Sequence, residues 1–350
     1  MEFGLFVEFP ANSTTTQRQI FKDSMDLIDA AEESGSEGIW LAEYHFNPGR
    51  SVLSAPVTVA GAIAARTNRV KIGLAVHVLP LRNPVQIAEE IATLDHLSDG
   101  RLDFGIGRAA FPRIYQGYGL NYAESRDRFD ECLEIILKAW TTDKFSFHGK
   151  YYQFDEISVV PQPLQKPHPP IRIGATSADT FELVGRMGYP IFINPSRVTT
   201  LLDLKPLVAE FHDARKKAGH TGSVDVGLRV PVYVAETKEK AYSEPKESTM
   251  FQMQRLVNVI RESVGQEGIP ANDDRALQAQ RLESMTYEDV MDNMVIHGTP
   301  ESVVGKLQEL QEELGITQVI YEVNFGCSVP LEHQIKSVQL LNEKVAPNIN

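Results

Sequence analysis

The amino-acid sequence predicts one domain, residues 1–350, folded as a parallel (β/α)8 TIM barrel. Strand-like and helical segments alternate eight times along the chain, which is the pattern of this fold. The rival is a doubly wound sheet with an appended domain, which a G-x-G-x-x-G turn opening a helix would favour. Gly105 and Gly107 begin such a pattern, but the third glycine is missing. The chain length also suits a single barrel of this class.

The predicted strands are apolar segments that end in glycine or polar residues. In chain order they are EFGLFVEF, GIWLAEYH, VKIGLAVHVL, LDFGIGR, PIRIGAT, PIFIN, VGLRVPVYVAE and QVIYEVNFG. Each is short and apolar enough for a buried strand. Together they predict the eight strands of the barrel.

The predicted helices have apolar residues every three to four positions and recognisable ends. Asn83 is a predicted N-cap with Pro84 at the first helical position. Thr299 and Pro300 begin a later helix that ends before Gly315. In chain order the helices cover about 17–34, 55–66, 83–98, 125–140, 178–188, 199–218, 299–315 and 331–345.

Two segments interrupt the alternation and are predicted to be insertions into the barrel. Residues 144–170 contain KFSFHGKYYQFDEISVV, which predicts a hairpin after the fourth helix, and then a proline-rich connector. Residues 237–297 are charged and predict a mostly helical excursion between the seventh and eighth strands.

Charge and cysteine content exclude several classes of protein. The net charge of −13 argues against a nucleic-acid partner or an anionic membrane surface. Two cysteines suit a reducing compartment rather than a disulfide framework. The sequence shows neither a signal peptide nor a long apolar run, so we expect a cytoplasmic protein without a membrane span.

Polar residues follow the second strand, where barrels of this class carry their active sites. Glu43, Tyr44 and His45 are consecutive there. In a regular strand Glu43 and His45 project to the same side, so the acid could orient the imidazole. These three residues are the predicted catalytic group. A purely structural, hydrogen-bonded His45 is the alternative.

A second set of polar residues predicts an anion site. Arg108 ends the fourth strand and Arg126 opens the next helix, and two guanidiniums can bind a phosphate bidentately. Ser177 and Thr180 lie at a helix N-terminus, where free backbone N–H groups favour an anion. The alternative for Arg126 is an ion pair with neighbouring acids. The histidines show no metal-ligand spacing, so no metal site is predicted.

Five segments in a fixed order carry a resemblance to a known family. They are LAEYHF, VHVLPLRNPVQIAEEIATLDHLSDGRLDFGIGR, NYAESRDRFDE, IGATSADTFELVGRMG and IHGTPESVV. Together they resemble the bacterial luciferase-like flavin-dependent monooxygenases, most closely the luciferase α-subunit branch. The resemblance covers nearly the whole chain and implies a barrel that binds reduced FMN at its mouth.

The resemblance also implies roles for individual residues. The phosphate-binding positions of the luciferase branch match Arg108, Arg126, Ser177 and Thr180, the residues of the anion site. A non-prolyl cis peptide beneath the flavin ring matches the bond between Ala75 and Val76. Gly107 stands where luciferase has a reactive cysteine, and its small size should leave more room over the flavin.

The implied activity is that of a two-component flavin-dependent monooxygenase. A separate NAD(P)H:flavin reductase would supply reduced FMN, and reaction with O2 would give a C4a-peroxyflavin that oxygenates a small hydrophobic substrate. His45, with Tyr44 beside it, would hydrogen-bond the peroxide or the substrate oxygen. Aromatic residues near strand ends suggest the apolar pocket: Phe6, Phe9, Phe111, Tyr115 and Phe192. The family usually forms dimers, and we expect a homodimer.

One departure from the family changes the expected chemistry. Luciferase has two histidines in E-H-H-F, whereas this chain has E-Y-H-F with Tyr44 at the first of them. A tyrosine is a poor general base at neutral pH, which argues against light emission. Three alternatives remain open: a deazaflavin-dependent oxidoreductase, an FMN-dependent oxidoreductase of the same fold, and a non-catalytic flavin-binding subunit such as luciferase β. Residues 265–297 align with the mobile lid of luciferase, or are only a solvated helical excursion.

Overall fold

The computed structural model describes residues 1–11, 15–109, 111–265 and 274–349. Its strands in chain order are β1 (Glu2–Val7), β2 (Gly38–Leu41), β3 (Lys71–Leu74), β4 (His77–Val78), β5 (Leu102–Gly107), β6 (Phe145–His148), β7 (Gln153–Ile157), β8 (Ile171–Ala175), β9 (Ile191–Ile193), β10 (Val226–Val234), β11 (Ile296–Gly298) and β12 (Gln318–Glu322). Parallel pairing runs β1-β2-β3-β5-β8-β9-β10-β12 and returns to β1. The predicted eight-stranded barrel is confirmed.

Helices surround the barrel and connect its strands. They are α1 (Gln17–Ser34), α2 (Pro56–Arg66), α3 (Pro84–Leu97), α4 (Pro112–Gly117), α5 (Ser125–Thr141), α6 (Ala178–Met187), α7 (Lys205–Lys217), α8 (Lys238–Ser243), α9 (Lys246–Ser263), α10 (Arg275–Glu283), α11 (Tyr287–Asn293), α12 (Pro300–Leu314) and α13 (Leu331–Leu340). Within the described residues, none of them has both the length and the hydropathy to cross a bilayer.

Helix ends follow the capping residues that the sequence shows. The Asn83 side chain accepts from the Val85 N–H at the start of α3. Gly315 ends α12 in the left-handed conformation, with φ of 64°. Two predicted boundaries were wrong. The third predicted strand is not continuous, because the Ala75–Val76 peptide is cis and separates β3 from β4. Helix α7 begins only at Lys205, after a 3-10 turn over Leu201–Leu204.

Both predicted insertions are present. Strands β6 and β7 form an antiparallel hairpin after α5. In the excursion after β10 the chain forms helices α8 to α11 and strand β11. Strand β11 pairs in parallel with the last three residues of β10, beyond those that pair with β12. The excursion has a hydrophobic cluster of its own, made of Met253, Val257, Ile260, Ala279, Leu282, Val290, Met294 and Val295. Residues 266–273 of the predicted lid lie outside the described residues, so its mobility stays a prediction.

A large aromatic side chain fills the barrel interior. The Trp40 ring stacks on Phe192 with ring centroids 6.1 Å apart, and the Arg172 guanidinium lies 5.4 Å from its centroid. Gly4 and Gly73 make room for the ring, since a Cβ would come within 2.5 Å of it at Gly4 and 2.2 Å at Gly73. These contacts come from strands on opposite sides of the barrel. Side chains therefore fill the barrel interior at this level.

Candidate active site

The predicted anion site is assembled where β5 and β8 lead into helices. Arg108 follows β5, Arg126 lies in the first turn of α5, and Ser177 caps α6. Ser177 Oγ and Thr180 Oγ1 lie 2.9 Å apart. Arg108 Nη1 donates to Ser125 Oγ at 3.0 Å. The four predicted residues therefore come from neighbouring strands and meet at one side of the mouth, although their role toward phosphate stays a prediction.

A carboxylate already occupies the donors of this set. Asp179 Oδ1 accepts from Ser177 Oγ at 2.5 Å, and Asp179 Oδ2 accepts from Arg126 Nη2 at 2.7 Å. Burial acts to raise the pKa of Asp179, but these two hydrogen bonds and the charges of Arg126 and Arg108 hold that pKa below its usual value. The donors thus bind one anion of the protein itself.

Glu43 and His45 meet as the sequence predicted, and both side chains are buried. Glu43 Oε1 lies 2.8 Å from His45 Nε2, and Oε2 lies 2.8 Å from His77 Nδ1. Because a carboxylate only accepts, Nε2 of His45 donates to Glu43, and Nδ1 lies 3.0 Å from the Tyr118 hydroxyl. Burial acts to raise the pKa of Glu43, but the two imidazoles and Arg82 hold it well below its usual value.

Tyr44 turns to the other side of the chain from His45. Its hydroxyl donates to Glu8 Oε1 at 2.8 Å, and its ring lies 5.2 Å from the Arg50 guanidinium. Burial raises the pKa of Tyr44 well above its usual value, so the hydroxyl keeps its proton. Tyr44 and His45 therefore have separate partners, and the expected hydrogen bond from His45 to the peroxide or the substrate oxygen stays a prediction.

Glu8 connects Tyr44 to a buried charged cluster at the top of the barrel. Arg50 and Arg229 both contact Glu8, and Arg229 also pairs with Glu322. Burial raises the pKa of Glu322 to about 7, with the Glu8 carboxylate adding to the shift against the charges of Arg229 and Arg50. The pKa of Glu8 lies below its usual value despite burial, because both arginines and Tyr44 stabilise its charge.

Ala75, Val76 and Gly107 lie together beside β5 and β8. The cis peptide between Ala75 and Val76 is confirmed. The space beside Gly107 is taken by Val76, since a Cβ on Gly107 would lie 2.4 Å from Val76 Cγ2. Gly174 also borders this side chain, at 2.9 Å from Val76 Cγ1. The missing side chain of Gly107 thus accommodates Val76 rather than leaving open space.

The predicted aromatic pocket is mostly ordinary packing. Phe9 and Tyr115 are fully buried, and Phe192 stacks on Trp40. Two other aromatics lie exposed beside His45 instead: the Phe46 and Tyr118 rings are 5.1 Å apart and are 49% and 44% exposed. Gly117 allows this packing, because a Cβ there would come within 2.2 Å of the Phe46 ring.

The buried charged cluster was not predicted from the sequence, although signals were present. Arg229 is a charged residue within the apolar strand VGLRVPVYV, and Glu8 and Glu322 stand at strand ends. A cavity of about 220 Å³ borders Glu8 and Glu322 and lies between α1 and the start of α13. The predicted anion site and the buried carboxylates of Glu8 and Glu322 therefore lie at different parts of the barrel end.

Comparison with known proteins gives one family and several relatives. The family model described as luciferase-like monooxygenase matches residues 1–318. The oxygenase component of a flavin-dependent trigonelline monooxygenase from Acinetobacter baylyi is 28% identical, over 72% of this chain and 70% of its own. An alkanal monooxygenase beta chain from Photorhabdus luminescens is 30% identical, over 70% of this chain and 75% of its own.

Solved structures share the fold over nearly the full length of both chains. The monooxygenase RslO1 from Streptomyces bottropensis has a TM-score of 0.82 at 24% identity, with 99% of each chain covered. The oxygenating constituent of a 3,6-diketocamphane monooxygenase from Pseudomonas putida, solved with FMN, has a TM-score of 0.81 at 21% identity, with 100% and 99% covered. An F420-dependent secondary alcohol dehydrogenase has a TM-score of 0.77 at 18% identity, with 100% and 99% covered.

Proposed function

The chain belongs to the luciferase-like monooxygenase family, and from this premise we propose that it is the oxygenase of a two-component system. It uses reduced FMN and O2 to oxygenate a small hydrophobic organic substrate. A separate NAD(P)H:flavin reductase supplies the reduced flavin. The named relatives are flavin-dependent monooxygenases, which supports an oxidoreductase.

The observation that carries the proposal is the anion site with its captured carboxylate. Ser177 and Arg126 hold Asp179 through hydrogen bonds, and Arg108 adds its charge to the same side of the mouth. Donors that bind a carboxylate in this geometry also suit the oxygen atoms of a phosphate monoester. FMN carries such a group, whereas riboflavin does not.

Each part of the mouth has a task in the proposed reaction. Arg108, Arg126, Ser177 and Thr180 would hold the phosphate of the flavin, and Val76 would border its ring system. Reduced FMN, when bound, supplies the electrons that activate O2. The exposed rings of Phe46 and Tyr118 offer an apolar surface for the substrate and limit water near His45.

Two hydrogen-bonded systems handle protons at the mouth. Tyr44 stays protonated and donates a hydrogen bond to Glu8. It therefore acts as a hydrogen-bond donor and not as a base. Glu43 holds His45 in one tautomer, with Tyr118 at the other ring nitrogen. Because the Tyr44 hydroxyl is hydrogen-bonded to Glu8, which borders the cavity at the top of the barrel, we assign Tyr44 the closer contact with the reacting atoms.

Oxygen consumption tests the proposal. The full chain is mixed with FMN, a flavin reductase, NADH and candidate hydrophobic substrates, and O2 uptake and oxygenated product are compared with the reductase alone. Product formation that requires the chain and FMN is the expected result. Product formed only with reduced deazaflavin F420, or reduced-flavin binding without any turnover, would replace the proposal with an F420 oxidoreductase or a non-catalytic subunit.

The expected homodimer is also a proposal. Light scattering during gel filtration of the purified chain gives its mass directly. A mass near twice 39.0 kDa is expected, and a monomer that turns over at the full rate would contradict it.

A further inference from the structure

Asp179 stands at the centre of the candidate phosphate site without being one of the donors. Its two carboxylate oxygens accept from Ser177 and Arg126. Since Ser177 gives its single hydroxyl hydrogen to Asp179, Thr180 Oγ1 must donate in its contact with Ser177 Oγ. Two of the four predicted phosphate ligands, Ser177 and Arg126, thus donate to an internal anion, and a third, Thr180, donates to Ser177.

We propose that Asp179 is an internal competitor of the ligand's phosphate, and that it keeps the binding of phosphorylated flavin weak and reversible. The inference rests on the proposed function and explains a requirement of it. A chain that receives reduced flavin from another protein must also release oxidised flavin after each turnover. A carboxylate that returns to the vacated donors favours this release.

The geometry allows the exchange. The Asp179 side chain is 59% exposed and that of Arg126 is 45% exposed, so rotation of the carboxylate into water meets no packing barrier. If Asp179 remained in place, its charge would oppose a phosphate dianion on the same donors. In both cases the phosphate loses affinity, either by displacing the carboxylate or by lying beside it.

The charged groups around the Asp179 site come from the end of β5 and from α5. Arg108 follows β5, Arg126 belongs to α5, and Asp130 on α5 is a second carboxylate affected by both arginines. No hydrogen bond between Asp130 and either arginine is found within the described residues, so Asp179 is the carboxylate that holds the donors. The helix dipole at the start of α6 stabilises it further.

The test is direct binding, measured by titration calorimetry on the full chain with oxidised FMN and with riboflavin. Asp179→Asn keeps the shape and the helix-start preference of the side chain but removes its charge. Glu182→Gln is the matched control, because Glu182 lies on the same helix and its partner is Arg186. Both variants change the net charge equally. Thermal unfolding shows whether each variant is folded, and Asp179→Ser serves as a second test.

Asp179→Asn is expected to bind FMN about tenfold more tightly than the unmodified chain, because a like charge is removed from the phosphate. Riboflavin binding should not change, and Glu182→Gln should leave both affinities unchanged. Inorganic phosphate should compete with FMN more strongly in the Asp179 variants. Equal or weaker FMN binding in both Asp179 variants overturns this inference alone. If no protein binds FMN, or if FMN and riboflavin bind alike, the proposed function fails as well.

Discussion

Adjacent residues at the end of β2 show how much one position matters. Tyr44 and His45 are neighbours in sequence, yet Tyr44 donates to Glu8 while His45 contacts Glu43 and Tyr118. Successive side chains of an extended segment point to opposite sides. This rule correctly paired Glu43 with His45 from the sequence. Applied to Tyr44, the same rule would have separated it from His45.

The variants Tyr44→Phe and His45→Gln test which of the two side chains contacts the reacting atoms. Tyr44→Phe removes the proton that Glu8 accepts, and we expect kcat to fall about 100-fold, the usual scale for one positioned proton donor. His45→Gln should reduce kcat less. Steady-state O2 uptake with saturating FMN measures both. A larger loss of kcat in His45→Gln would show that His45, and not Tyr44, carries the acid–base step.

Arg126 and Arg128 lie on the same helix and offer a matched pair for the phosphate contact. Arg126 holds Asp179, whereas Arg128 pairs with Glu124 and lies over Tyr151. Arg126→Met should weaken FMN binding about tenfold, since it removes a charged hydrogen bond worth about 1.5–3 kcal/mol in part-exposed surroundings. Arg128→Met should not.

Calorimetric affinities for FMN and riboflavin measure this difference. Riboflavin serves as the ligand control, because it lacks the group that Arg126 is expected to hold. Equal losses of FMN affinity in Arg126→Met and Arg128→Met would show that Arg126 does not contact the phosphate. The same would follow if Arg126→Met lost as much affinity for riboflavin as for FMN.

At the scale of elements, local signals account for most of the fold. Helix α1 begins at Gln17 after the Thr16 cap and α12 begins at Pro300 after Thr299, so sequence patterns place them closely. The break between β3 and β4 could not be predicted from apolar periodicity, because Ala75 and Val76 fit a strand equally well. Resemblance to a family predicted that cis bond, whereas composition did not.

The helical excursion is an element with a core of its own, which the sequence left open. Leu282 on α10 is buried in that core, and Leu277 on the same helix is 48% exposed. Leu282→Ala should destabilise the excursion by about 2–4 kcal/mol through the cavity it leaves, and Leu277→Ala should have little effect.

Amide hydrogen exchange shows which elements lose stability in Leu282→Ala. Faster exchange should be confined to α9, α10 and α11 in Leu282→Ala, while β1 and β12 keep their protection. Equal loss of protection in the barrel strands would mean that the excursion and the barrel unfold as one unit.

At the scale of the molecule, the charges are distributed in a way that the sequence does not reveal. The chain carries a net charge of −13, yet it buries Arg172 with Asp103, and Arg50 and Arg229 with Glu8 and Glu322. Glu8 and Arg229 are 221 residues apart, so no local pattern could have joined them. Closure of the barrel brings them together. The catalytic candidates near one strand end were therefore predictable, whereas the cluster that supports Tyr44 was not.

Burial of Glu322 makes the stability of the whole chain depend on pH. Its pKa of about 7 in the folded protein lies above the ordinary value of 4.5, so the folded state binds a proton that the unfolded state has lost. The stabilisation is complete below about pH 4.5 and is lost as the pH rises through 7. It amounts to about 3 kcal/mol for a shift of this size.

Glu322→Gln should abolish that part of the pH dependence. Denaturant unfolding between pH 4.5 and 8 gives the free energy of unfolding of each protein, and the slope against pH is the quantity compared, because loss of the Arg229 pair also changes its absolute value. Glu332→Gln on α13 is the control, since its side chain is 84% exposed and removes the same charge. Parallel curves for Glu322→Gln and the unmodified chain would mean that Glu322 is ionised throughout. Glu8 could not supply this pH dependence in its place, because Arg50, Arg229 and Tyr44 hold its pKa below the usual value.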